Sequence, residues 1–412
     1  MSTTPHARIQ PVPDEARVTP IELFFDLVFV FSLTQDTALM ASHPTIHGLV
    51  RGLLVLALLW WCWVGYAWLG NVVRADEGIG RIAMFGAMAS MFVLALSVPE
   101  AFKDLPGGLN GPVVLAVAYL AVRILHLAIF MLASGNDAGL RRQVLKFAPS
   151  VIGSTALLLV ASQLEGKAQT WTWVAVVTVD YVGTILAGAS GWRINSASHF
   201  AERHGLIVIV ALGESIIAIG VGATVPISMP IIVASILGLT VLGCVWWAYF
   251  DVVAIVAERA LRRARGEKRA RLARDAYSYL HLPMIAGIIL LALGLKQVVK
   301  NVGDTLHHEL SEPLELLPLC AMYGGVALYL LAHVAFRIRT WHHVSWRRVM
   351  AAVLLIASIP VAAQFPALGA LGLLAAVMVA LIAVEALQSA EFRERVRHEE
   401  DDAAPSPVGP GP

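Results

Sequence analysis

Six ionisable side chains fall inside stretches that are otherwise Phe, Leu, Val, Ile and Ala: Glu22, Asp26, Asp36, Arg123, Asp180 and Glu214. An unpaired charge in hydrocarbon costs from about 2.5 to more than 10 kcal/mol, so each needs a partner or a task. Glu22 has a local reason. In T-P-I-E, Thr19 fits an N-cap, Pro20 the first helical position, and Glu22 can reach back to free backbone N–H groups. Asp26 lies a turn further in, beyond the reach of any cap, and Glu22, Asp26, Phe29, Leu33 and Asp36 share one stripe of a helical wheel. Such a stripe cannot face lipid. The plain account pairs Arg123 with Asp180 or Glu214 and Arg51 with Asp36, which fixes helix rotation and nothing more. Against it, Asp26, Asp36, Asp180 and Glu214 outnumber Arg51 and Arg123, so at least two acids must be protonated, hydrated or matched by a cation. That surplus is what proton- or cation-coupled translocation needs, and Asp26 is expected to change protonation or cation occupancy. A second group, His199, Glu202, Arg203 and His204 in "HFAERHG", offers acid–base side chains just before another apolar run. No His or Cys spacing matches a zinc site, and no metal or cofactor is expected.

These residues must be positioned by helices in a bilayer. The chain has 412 residues, 58% hydrophobic and 14% charged, with mean hydropathy +0.72, against roughly 25% charged residues in an ordinary soluble domain. Runs able to cross about 30 Å of hydrocarbon occur near 20-41, 47-69, 80-99, 112-134, 145-164, 169-191, 205-224, 229-253, 277-298, 315-338, 347-364 and 367-388. The expected fold is therefore an all-α polytopic membrane protein of about twelve transmembrane helices. With the N-terminus inside, the inner segments collect nearly all the arginines, including the run 259-274, and the outer ones only Lys103, Lys167, Lys296 and Lys300. This places both termini in the cytoplasm. The first 17 residues lack the pattern of a cleaved signal peptide. "ERALRRARGEKRARLARD" reads as a basic helix leaving the eighth span and resting on anionic headgroups, and the tail 391-412 as disordered. Cys62, Cys244 and Cys320 lie in apolar runs and read as small buried hydrophobes. The Trp and Tyr clusters at 60-68 and 246-250 read as interface belts or as a stacking wall for substrate. Nothing calls for nucleic acid, and a homodimer is left open.

Two halves can be aligned in order. "LWWCWVGY" matches "VWWAYFDV", "YLAVRILH" matches "YLLAHVAF" with Arg123 against His333, and Arg pairs at 141-142 and 347-348 open the fifth and eleventh spans. A duplicated six-span unit, 19-191 and 205-390, follows, both copies pointing the same way, with 1-18 as an N-terminal segment, 192-204 as linker and 256-275 as a basic insertion.

"VTPIELFFDLVFVFSLTQ" (18-35) and "HFAERHGLIVIVALGESIIAIG" (199-220), with "WVGYAWLGN" and "SVPEAF", resemble the signature segments of the bacterial low temperature requirement protein A family. The resemblance runs through most of residues 17 to 390. It implies a multi-pass protein of the bacterial plasma membrane with no settled substrate, and points to Glu22, Phe25, Asp26, His199, Glu202, Arg203, His204, Gly213 and Glu214. "ELFFDLVFVFSLT" is also similar to the first-helix motif of lysosomal-type potassium channels, with Phe25 where that F-S-D triplet has serine. Three functions compete. One is a secondary transporter with a midplane site, one a cation or proton channel walled by the first and seventh spans, and one a membrane-embedded lipid or quinone enzyme using Glu202, His199 and His204. The transporter, of a solute or cation that the sequence does not name, is preferred, and no enzymatic role is expected.

Overall fold

The computed structural model describes residues 12–13, 16–223, 226–304 and 309–388. The tail expected to be disordered, and most of the N-terminal segment, lie outside the described residues. Among these, twelve long helices carry the fold: α1 (Pro20–Ser42), α2 (Ile46–Gly70), α3 (Gly78–Leu96), α4 (Gly111–Ser134), α5 (Ala138–Ala161), α6 (Gly166–Ala187), α7 (Ala197–Gly222), α8 (Met229–Phe250), α11 (His281–Gly303), α12 (Leu316–Trp341), α13 (Trp346–Ala362) and α14 (Ala367–Gln388), with the short α9 (Val253–Arg263) and α10 (Gly266–Leu272) between α8 and α11. Eleven of the twelve are long and apolar enough to span a membrane. α13, with 17 residues, is the short one. The protein is an all-α, multi-pass membrane protein.

Helix starts differ most from the sequence reading. Hydropathy finds where an apolar run begins, whereas a helix begins at its cap. The Asp137 side chain accepts from the N–H groups of Gly139 and Leu140, so α5 starts seven residues ahead of the expected span. Ser196 caps α7 by accepting from His199 N–H at 3.2 Å, which moves the "HFAERHG" motif from a linker into the helix. The basic segment forms α9 and α10, followed by a π-helical turn, Ala273–Tyr279, that leads into α11.

Because lipid is as apolar as the helices, close approach and interhelical hydrogen bonds hold such a bundle together. α11 and α12 approach at paired glycines: a Cβ on Gly287 would lie 2.5 Å from Gly325 O, and one on Gly325 2.6 Å from Gly287 O. The apolar 18-residue stretch of α2 is the most enclosed among the spans, 89% of it buried. Trp60 and Trp63, stacked with ring centroids 5.1 Å apart, are in the core and not in an interface belt, whereas Trp246 and Trp247 are partly exposed. The Trp60 and Trp68 indoles donate to the carbonyl and the hydroxyl of Ser278 in the π-helical turn, at 2.8 and 2.9 Å. Of the cysteines, Cys62 and Cys244 are buried and Cys320 half-buried, none of them in a disulfide.

The order of neighbours recurs. α1 packs on α2 and α3, α3 on α4, α4 on α5, α5 on α6, and α2 on α6; α7 packs on α8 and α11, α11 on α12, α12 on α13, α13 on α14, and α8 on α14. The two sets meet where α1 lies against α7 and α11. The first and last of the twelve long helices begin and end on one face, the basal face, at Pro20 and Gln388.

Candidate functional site at the seam between α1 and α7

The basal end of the seam is built from the first turns of both helices. Thr19 donates to Glu22 Oε2 through its N–H (2.9 Å) and its hydroxyl (2.8 Å), as the cap spacing required. The same oxygen meets His199 Nε2 at 3.1 Å. The tautomer of that histidine follows from Asn71, the residue that ends α2. Asn71 Oδ1 accepts from the N–H groups of Asn195 and Ser196, so its Nδ2 is the donor, to Ser196 O at 2.6 Å and to His199 Nδ1 at 3.2 Å. With Nδ1 accepting, Nε2 carries the hydrogen that goes to Glu22. Arg203, one turn after His199, places NH2 3.0 Å from Asp26 Oδ1 and NH1 3.9 Å from Glu22 Oε1. Trp63 Nε1 adds a bond to Asp26 Oδ1 at 2.8 Å, and the guanidinium lies over the Trp63 ring. One arginine thus serves two acids, and Asp26 Oδ2 has no partner. A cavity of about 210 Å³ on the basal face is lined by Thr19, Glu22, Gly70 and His199.

At the other end of the seam, about 24 Å along α1 from Pro20 at 1.5 Å per residue, Asp36 is fully buried and neither carboxylate oxygen has a partner. The charged group acting on it is Glu214 of α7, itself an acid. Glu214 accepts from the Thr34 hydroxyl and has Lys296 of α11 as its cationic neighbour. Arg51, the partner sequence suggested for Asp36, is turned away: it bonds Gln169 Oε1 at 3.1 Å and lies over Phe102, 4.5 Å from the ring centroid.

The other charged groups form separate centres. Arg123 pairs with Asp180 at 3.6 Å, where Tyr119 also donates to Asp180 and Phe147 lies under the guanidinium at 4.9 Å. In the second half Arg348 of α13 makes two bonds of 2.8 Å to Glu385 of α14 and bonds His333. The "HFAERHG" residues do not converge. Glu202 is exposed and accepts from Val18 N–H at 3.2 Å. His204 donates from Nδ1 to Phe200 O at 2.8 Å and packs between Trp63, Tyr277 and His281. Among the described residues, no three His, Cys, Asp or Glu side chains gather as a metal-ligand set.

Sequence reasoning missed Arg203 as a buried cation facing Asp26, because hydropathy starts the seventh span at residue 205. It counted Lys296, at the outer end of the 277-298 run, with the outer lysines and missed it as the cation beside Glu214, and it missed Glu385, a lone acid in "VALIAVEALQ" whose presence in an apolar run was the available signal. Asn71 lies in the quoted "WVGYAWLGN" segment, and nothing in the sequence pattern pointed to its bonds with Ser196 and His199.

The family model described as Bacterial low temperature requirement A protein (LtrA) matches residues 17–383. The chain belongs to that family. A relative from Rhizobium meliloti (strain 1021), itself an uncharacterized protein, is 30% identical over 295 residues, which cover 68% of this chain and 69% of the relative. The match to this LtrA-family model takes in every residue of the seam, from Thr19 to Lys296, and also Arg348.

Proposed function

We propose that this family member is a proton- or cation-coupled secondary transporter whose two six-helix halves move against each other at the α1–α7 seam, with Asp36 as the group that binds and releases the coupling ion. The observation carrying this reading is Asp36 itself, buried with both oxygens unpartnered beside a second acid. An isolated buried carboxylate costs several kcal/mol, so it takes up a proton or a cation. Asp26 is anchored on one oxygen by Trp63 and Arg203, which fits a structural clamp better than an exchanging group. The recurring order of helix neighbours supports the duplicated unit. The arginine-rich basal loops support a cytoplasmic basal face with both termini inside.

The test uses purified protein in liposomes loaded with a pH-sensitive dye, with Na⁺ or K⁺ gradients imposed. Proton movement that depends on the cation, saturates with its concentration, and is lost in Asp36→Asn is expected. Flux that rises linearly with the gradient would instead mark a channel at the same seam, and flux identical in Asp36→Asn would remove Asp36 from the path.

A further inference from the structure

A cavity of about 620 Å³ lies away from the seam, on the basal face where α8, α12, α13 and α14 end or begin. Its size falls within the roughly 300–1,000 Å³ of small-molecule sites. Its walls combine three arginines with three tryptophans: Arg337, Arg347, Arg348, Trp247, Trp341 and Trp346. Against them stand two acids, Asp251 and Glu385, so the wall is net positive by one charge with histidine neutral.

The three arginines are not equivalent. Arg348 is consumed by its two-pronged pair with Glu385 and by bonds to Ala248 O and His333. Arg337 lies over the Trp341 ring, 5.0 Å from its centroid, with Nε buried and unpartnered. Arg347 is exposed at the rim. The start of α13 faces the same space. Its N-cap Ser345 makes no side-chain cap, and its hydroxyl is directed at Glu385 at 3.5 Å. Val349 N–H is the first to bond back, to Ser345 O at 3.2 Å, which leaves the N–H groups of the first turn without intrahelical acceptors. Two guanidinium groups outside the close Arg348–Glu385 pair and an uncapped helix N-terminus converging on one space match a phosphate, which takes planar forked donors and backbone N–H groups together. Trp247 and Trp346, 42% and 68% exposed, flank it at the level where indoles meet headgroups.

We propose that this cavity binds a phosphate monoester or diester, with the phosphate held by Arg337, Arg347 and the α13 N-terminus and the organic part against the tryptophans. Two sources share that chemistry: the headgroup of an anionic phospholipid and a soluble phosphate ester. Native mass spectrometry of the full-length protein in detergent, with phosphatidylglycerol or phosphatidylcholine, tests the first; thermal unfolding with glycerol 3-phosphate or inorganic phosphate tests the second. Arg347→Gln is the test variant, since an exposed side chain can be changed without disturbing the fold, and Arg141→Gln, an arginine on the same face outside the cavity, is the control for general electrostatic attraction. A retained phosphatidylglycerol, held about tenfold more weakly in Arg347→Gln but not in Arg141→Gln, supports the lipid source. Stabilisation by glycerol 3-phosphate that Arg347→Gln abolishes supports the soluble one. No preference for phosphatidylglycerol together with no effect of free phosphates, or equal behaviour of the two variants, overturns the proposal.

Discussion

The two ends of the α1–α7 seam present acids in opposite ways. At the basal end Glu22 and Asp26 are met by His199 and Arg203 from the facing helix, by Trp63 from α2 and by the Thr19 cap. About three to four helical turns away, by the 3.6 residues of each turn, Asp36 has no hydrogen-bond partner and another acid for a neighbour. Both ends are equally buried. Burial therefore does not tell a structural acid from an exchanging one. What separates them is whether the protein supplies the counter-charge or leaves it to a mobile ion.

The sharpest way to break this contrast is at the paired end. Arg203→Leu leaves Asp26 buried with Trp63 as its remaining donor and Glu22 with Thr19 and His199, and should cost about 3–5 kcal/mol, read as a large fall in detergent-resistant folded protein. Adding Asp26→Asn to Arg203→Leu should restore part of that loss. If Arg203→Leu unfolds no more readily than the wild type, the basal end is not a clamp.

The Arg123–Asp180 pair extends the same test to the first half alone. Arg123→Leu should be worse than Arg123→Leu/Asp180→Asn, since the single change strands a buried acid. The difference should be smaller than at Arg203, because Asp180 keeps its bond from Tyr119. Equal thermal unfolding of the single and double variants would mean that the two groups, 3.6 Å apart, are not energetic partners.

Much of this architecture is legible in the sequence. The twelve apolar runs mark the helices, the T-P-I-E spacing marks the Glu22 cap, and the arrangement of ionisable residues by depth brings Arg123 and Asp180 together. The rest depends on two things that residue type does not encode. Helices begin at caps and not at hydropathy edges, so Ser196 carries His199 and Arg203 into the helix and the protein interior. That single shift supplies the missing partner for Asp26. Helix rotation decides the other. Arg51 and Asp36 lie on adjacent helices near the same end, yet Arg51 faces α6 and Phe102 while Asp36 faces α7. Similar depth along the sequence does not distinguish these arrangements, and the unpartnered acid emerges only when every neighbour is placed.

Of these substitutions, Asp36→Asn should have the smallest effect on folding, within about 1 kcal/mol, because no hydrogen bond or ion pair is broken. It is also the variant on which the central claim turns. Infrared difference spectroscopy of the reconstituted protein, recorded on a step in pH and on addition of Na⁺ or K⁺, follows the carbonyl band of a protonated carboxylic acid directly. A buried carboxylic-acid band that responds to the step and disappears in Asp36→Asn while persisting in Asp26→Asn is the expected result. A spectrum unchanged by Asp36→Asn would contradict the assignment of the exchanging proton or cation to that residue.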